Sequence, residues 1–226
     1  VPNKTFDHTK IKELRPLTLI PFDTHLMINE PVKHVRDYID AGSDIITVHA
    51  EVCDESSFGE ICDMLHSNQV GIGLAINPDT ELPEWCYKFV ELLDQIIIMS
   101  VVPGKSGQKF IESTHEKTKR IAKDLREHKF EGYIEADGGV NLENIGACFE
   151  DGARAFVGGS AIIGQTDVRM IIKEFRNQVL ESRRRLLIKK AHELGGTELV
   201  NSWIDLHVVG KKKDSLVQIA KELGFQ

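Results

Sequence analysis

Residues 40–48 read DAGSDIITV and residues 150–158 read EDGARAFVG, and both run from a helix end through a glycine into a short apolar strand. Glycine just past a helix accepts the left-handed conformation that stops it. The shared order of helix, glycine and strand is architectural repetition, the step from which a parallel sheet covered by helices is built. Outward from these two segments the same step recurs. Strands are predicted at residues 17–27, 44–50, 70–76, 95–101, 133–137 and 155–158, each nearly all apolar, as strands buried on both faces are. Helices are predicted at 31–41, 58–67, 82–93, 111–128 and 142–150, with Pro31 and Pro83 in first turns and Gly42 and Gly152 just past the ends. A charged helical stretch at 168–194 breaks at Gly195 and Gly196, and a last unit comes after it, with a strand at 203–209 and a helix at 214–223. The pattern is that of an α/β protein of the (β/α)8-barrel kind, although seven strands fall one short of closure.

At 226 residues the chain fits one large barrel domain. Its 41% hydrophobic and 28% charged residues are ordinary globular composition. A net charge of −7 gives no general attraction for nucleic acid, and the runs Arg183 to Arg185 and Lys211 to Lys213 are short enough to be solvated surface. Cys53, Cys62, Cys86 and Cys148 form no CxxC pair, which argues against a zinc knuckle or redox motif and fits a reducing, cytoplasmic setting. No apolar run approaches the ~20 residues of a membrane span. The first residue is Val1 rather than methionine, so the translation start is expected to lie elsewhere.

In such barrels the reactive groups stand at the carboxyl ends of strands. FDTHLM, residues 22–27, places Asp23, His25 and Met27 on one strand face. His25 there is a core histidine or a ligand. IEADGG, 134–139, ends a strand on Asp137 and continues into Gly138 and Gly139. A carboxylate so placed binds a metal or moves a proton, or simply starts a turn. VGGSAI, 157–162, sets Gly158, Gly159 and Ser160 at a helix start, where free amides make an anion site. MSVVPGKSGQKF, 99–110, runs from Met99 into a loop bearing Gly104 and Gly107 that is able to close over a substrate. ITVHAE, with His49 and Glu51, and LAINPDT, with Asn77, are weaker signals of the same kind.

In order and spacing these six motifs resemble the ribulose-phosphate 3-epimerase family, over residues 1 to about 163. The resemblance implies interconversion of ribulose 5-phosphate and xylulose 5-phosphate through an enediolate, with a divalent metal (Zn, Mn or Fe) between two carboxylates. It implies His25 and Asp137 as metal ligands and Asp137 as one acid/base. Met27 and Met99 would line the site, with Gly138, Gly139, Gly159 and Ser160 holding the phosphate and Gly104 and Gly107 in the mobile loop. Lys105 and Ser106 stand where that loop usually has phenylalanine and glycine. The ketohexose-phosphate epimerases share most of these motifs. Related synthases and decarboxylases carry an Asp-x-Lys-x-x-Asp string that is absent here.

The family's first strand carries a serine and its second a His-x-Asp, and this sequence opens at a segment that resembles the stretch just beyond that second strand. The barrel is therefore expected to be incomplete at its N-terminus, with residues 1–180 forming it and 181–226 an extension packing on or completing it. Three readings are open: a piece of a longer enzyme, a non-catalytic phosphosugar-binding remnant, or a C-terminal unit that fills the gap with Asp205 and His207. The expected partner is a small sugar phosphate, with no nucleic acid or membrane, in a homo-oligomer.

Overall fold

The computed structural model describes residues 6–105 and 107–193. Its strands are β1 (Asp23–Leu26), β2 (Ile45–His49), β3 (Gly71–Ile76), β4 (Gln95–Met99), β5 (Tyr133–Asp137) and β6 (Ala153–Val157), all parallel and paired in chain order. The helices are α1 (His8–Leu14), α2 (Val35–Ala41), α3 (Glu55–Ser67), α4 (Thr114–Glu127), α5 (Ile145–Asp151), the single turn α6 (Ser160–Ile163) and α7 (Val168–Glu193). Parallel neighbours need a crossover between them, and the glycines that end two of those crossovers behave as the sequence implies. Gly42 closes α2 at φ 97° and Gly152 closes α5 at φ 125°.

The sheet is curled. In a flat sheet β1 and β5 would stand four spacings, or about 19 Å, apart. Yet His25 Nδ1 of β1 lies 3.3 Å from Asp137 Oδ2 of β5, and Gln95 Nε2 of β4 donates to Asp23 Oδ1 of β1 at 2.9 Å. The nearly uniform apolar strands therefore feed two different interiors. Ile46, Val48, Leu74, Ile76, Ile96, Ile98 and Ile134 face the helices in the main core. Ala75, Ile97, Met99 and Val101, with Met27 against them, fill the concave side. This is the α/β architecture of the TIM-barrel kind, seen here through six strands with β1 and β6 at the edges among the described residues.

Strand and helix positions agree with the sequence reading except at three places. Residues 17–22 are not strand: Arg15–Leu17 is a 3-10 turn, and Arg15 Nη2 takes the carbonyls of Thr18 and Ile20, which are thereby lost to a ladder. The apolar residues Leu17, Leu19 and Ile20 are consequently exposed. Residues 82–93 hold only the 3-10 turn Glu84–Lys88, whose Trp85, together with Phe89 just beyond it, packs on Phe58 of α3. Helix α1 has no counterpart in the sequence reading. Asp7 caps it through Lys10 N, but seven residues carry too little periodicity to read.

One helix, α7, carries the chain past residue 180, the expected junction between barrel and extension. It lies against α5 where Gly146 leaves room for Ser182, since a Cβ there would meet Ser182 Oγ at 2.6 Å, and Arg185 reaches Glu150 at 2.9 Å. The expected strand at 203–209, with Asp205 and His207, and the helix at 214–223 lie outside the described residues.

The loop after β3 is held by an unusual device. Lys117 of α4 is almost fully buried, and its ammonium donates to the carbonyls of Asn77, Pro78 and Thr80. Burial lowers its pKa, as it does for any desolvated cation. Lys117→Met would bury a similar stem but leave those carbonyls without their donor. A loss of roughly 2–4 kcal/mol is expected, read from the urea midpoint of unfolding, and an unchanged midpoint would show that the three bonds carry no net stability.

Candidate active site

At the carboxyl ends of the strands a cavity of about 510 Å³ gathers most of the residues singled out from sequence. Met27, Met99 and Val101 give it apolar lining, and Asp137, Gly138, Gly139, Gly159 and Ser160 line it as well. Gly104, Lys105 and Gly107 close it from the loop after β4. His25 reaches the same point by its contact with Asp137.

Local chemistry explains why these groups converge. Met99 and Asp137 are register partners on β4 and β5 and so share the concave face. Ser100, one residue past β4, ties the two strand ends together. Its N–H donates to Asp137 O at 2.7 Å and its hydroxyl to Gly138 O at 2.6 Å. The chain then turns at Gly138 (φ 119°) and Gly139 (φ 65°), where a Cβ would lie 2.4 Å from Val101 and 2.5 Å from Phe110 N. Only glycine permits both the sign of φ and the closeness. At the second turn, Gly159 has open space where a Cβ would point. Because α6 is four residues long, an anion here would be held by local N–H groups of the first turn rather than by a helix dipole. That refines the expectation of a helix N-terminus. Gln108, at the end of the loop after β4, braces it by donating to Val102 O and Lys105 O at 2.6 and 2.9 Å.

His25 is held from both sides. Beyond Asp137, its Nε2 lies 2.8 Å from Nε2 of His49, and His49 Nδ1 lies 3.0 Å from Glu51 Oε2. Glu51 Oε1 accepts the Asn77 N–H at 2.6 Å. Burial pushes Glu51 up, but the hydrogen bonds from His49, Asn77 and Thr80 outweigh it and hold the carboxyl down at about 2. His49 and Glu51, weak signals in the sequence, thus belong to the site's own framework.

Beneath this layer lies a polar row that the sequence did not disclose. Gln95 Nε2 donates to both Asp23 Oδ1 and Thr47 Oγ1, and its buried Oε1 has no hydrogen-bond partner. Gly73 makes room for this meeting, since a Cβ there would come within 1.9 Å of Thr47 Oγ1. Glu135, two residues before Asp137 and on the same face, is 7% exposed. Burial, with Asp23 and Asp137 adding repulsion, pushes its carboxyl up to about 8. Burial also raises Asp23.

The site offers two groups to a divalent metal, the imidazole of His25 and the carboxylate of Asp137. Their nitrogen and oxygen donors suit Zn, Mn or Fe. Among the described residues no group of three or more His, Cys, Asp or Glu is arranged to hold a metal, so these two donors do not by themselves make a complete site. All four cysteines are free thiols. Among the described residues no helix is long and apolar enough to cross a membrane.

Residues 1–163 match the family model described as the ribulose-phosphate 3 epimerase family. The chloroplastic ribulose-5-phosphate-3-epimerase of Arabidopsis thaliana is 39% identical over 173 residues, covering 76% of this chain and 61% of its own length. The ribulose-phosphate 3-epimerase of Bacillus subtilis is 38% identical over 177 residues, covering 78% of this chain and 80% of its own. The chain thus spans three fifths to four fifths of these relatives. Among solved structures, 3-keto-L-gulonate-6-phosphate decarboxylase from Vibrio cholerae superposes with a TM-score of 0.58 at 15% identity, over 77% of this chain and 79% of the other. At that identity the likeness is one of fold.

The buried carboxyl gives a pH test. With its folded pKa raised from 4.5 to about 8, Glu135 holds its proton in the folded state after the unfolded chain has released it. Its contribution to stability is therefore fully present below about pH 4.5 and is lost as pH rises through about 8. Glu135→Gln should stabilise the protein at pH 9 by on the order of 2–4 kcal/mol and leave it nearly unchanged at pH 4. Denaturant unfolding at both pH values checks this, and an equal effect at the two would reject it.

Proposed function

The chain belongs to the ribulose-phosphate 3-epimerase family, and from that membership we propose that it serves epimerisation of ribulose 5-phosphate and xylulose 5-phosphate at C3. The observation that carries the reading is the position of Asp137, a carboxylate at the end of β5 lining the cavity, with His25 beside it and two glycine turns lining the same cavity.

On this reading the sugar's phosphate lies against the turns at Gly138, Gly139, Gly159 and Ser160, which fixes the far end of the substrate. The ketose end then reaches Asp137. Its carboxylate takes the proton from C3, the electron pair moves into the adjacent carbonyl, and an enediolate results. Return of that proton from Asp137 regenerates substrate, whereas inversion takes a proton from a second acid on the opposite face of C3, which the described residues lining the cavity do not supply. A divalent metal held by His25 and Asp137 would supply positive charge beside the developing oxyanion. Met27 and Met99 exclude water and offer polarisable sulfur to the planar intermediate. Gly104 and Gly107 allow the covering loop to adapt to its contents.

Asp137 is the only carboxylate among the described residues lining the cavity, and it accounts for proton transfer on one face. With two metal donors in place of three or more, this favours a second reading for the described chain: a phosphosugar-binding protein without turnover.

Deuterium entry at C3 of ribulose 5-phosphate in D2O, followed by NMR with Mn or Zn added and then chelated, separates the two. Metal-dependent exchange is expected, falling by at least ~100-fold in Asp137→Asn. Equal exchange in the variant would remove Asp137 from the mechanism. Sugar-phosphate binding with no exchange and no bound metal would establish the binding reading instead.

A further inference from the structure

The carbonyl of Gly139 is held from behind by two asparagines. It accepts from Asn144 Nδ2 at 3.0 Å and from Asn141 Nδ2 at 3.4 Å. The opposite ends of both amides are fixed by main-chain donors. Asn144 Oδ1 takes the Asn141 N–H at 2.8 Å, and Asn141 Oδ1 takes those of Glu143 and Asn144 at 2.8 and 3.2 Å. Since those ends are oxygen, the ends on Gly139 are NH2 groups, which only donate. Asn144 stands at the N-cap of α5, where an asparagine side chain ordinarily accepts from the first turn of its helix, yet it makes no capping bond. Its side chain serves the glycine turn instead.

The consequence lies on the other side of the same peptide. The Gly139 carbonyl and the Val140 N–H belong to one planar trans unit and so point in opposite directions. Asn141 and Asn144 line a neighbouring cavity of about 640 Å³ but not the one that holds Asp137, whereas Gly139 and Val140 line both. With the oxygen drawn to the asparagine side, the N–H is aimed away from it. The N–H groups of Gly139 and Val140 have no acceptor among the described residues, although Val140 is buried. A buried main-chain donor is ordinarily paired, so this turn has room for an acceptor from outside the chain.

Glycine makes the clamp necessary. At position 139 the backbone holds φ 65°, and a Cβ would lie 2.5 Å from Phe110 N, so a larger residue does not fit. A glycine, however, turns its peptide over at little steric cost. The flipped peptide would set an oxygen where the N–H stood, and an oxygen facing a phosphate dianion repels it. One flip changes a donor into a barrier.

We infer that Asn141 and Asn144 are positioning residues for the substrate phosphate, holding the Gly139 carbonyl out of the cavity and thereby aiming the Val140 N–H at the anion. The inference rests on the proposed placement of the phosphate against the glycine turns and names what keeps one of them in its binding orientation.

The test is 15N–1H NMR of the chain titrated with ribulose 5-phosphate, and with inorganic phosphate as a probe of the anion alone. In the wild type the Val140 amide should shift on binding, together with those of Gly159 and Ser160 at the second turn. Asn144→Ala removes the shorter of the two bonds to Gly139 O, and affinity for both ligands should fall about 10-fold or more. At saturation the variant should lose the Val140 response and keep those of Gly159 and Ser160. A role in stability alone would weaken the responses of both turns together, and that result, or an unchanged affinity, would overturn the inference. Asn144→Asp keeps the shape and the acceptor for the Asn141 N–H but has no donor, so it guards against a variant that fails to fold and should lose the same Val140 response. In the wild type, shifts at Gly159 and Ser160 without one at Val140 overturn this inference alone. No response at either turn overturns the phosphate placement of the proposed function, and this inference with it.

Discussion

The curl of the parallel sheet is the constraint on which the remaining structure depends. The polar groups of the concave face come from β1, β2, β4 and β5, and in a flat sheet β1 and β5 would stand about 19 Å apart. Curling brings β1 against β4 and β5, so that Asp23 meets Gln95 and His25 meets Asp137. The main core between sheet and helices supplies the apolar burial that holds this shape. The concave side tolerates polar groups because they find one another there.

That concave side is stratified. In the lower row Thr47, Gln95 and Glu135 are buried while Asp23 is partly open to solvent at the start of β1, and with little counter-charge nearby desolvation pushes both carboxyls toward the neutral form. One layer up, Glu51 is partly desolvated but not buried, and donors from His49, Asn77 and Thr80 outweigh that desolvation and keep it charged. The difference lies in donors as well as depth. A carboxylate given hydrogen-bond donors in a low-dielectric setting is stabilised as an anion, and one given only apolar walls and other carboxylates is not. The upper layer is where a charged site can operate, and the cavity lined by Met27, Met99 and the two glycine turns opens there.

Much of this was legible in the sequence because local chemistry dictates it. A glycine at 42 or 152 has one good use after a helix, and strands 44–50, 70–76 and 133–137 agree with the structure to within a residue or so at either end. The pair Gly138 and Gly139 announced a backbone that other residues cannot follow. Failures occurred where a local pattern had two outcomes. The apolar run at 17–20 reads as strand until Arg15 is seen to take its carbonyls. The stretch at 82–93 has the composition of a helix but spends its aromatics on α3.

The sequence by itself determined the alternation of strand and helix, the glycine turns and the strand-end residues Asp137 and His25, because each arises from steric and periodic rules acting over a few neighbouring residues. Tertiary structure alone decided which of those residues meet. Gln95 reads only as the first residue of an apolar strand until the curl sets it against Asp23 and Thr47, 72 and 48 residues away. His49 and Glu51 read as a weak pair until His25 arrives across the β1–β2 ladder and joins them to Asp137. Contacts between distant strands depend on sheet curvature and register, and those are properties of the packed whole that no short window of sequence contains.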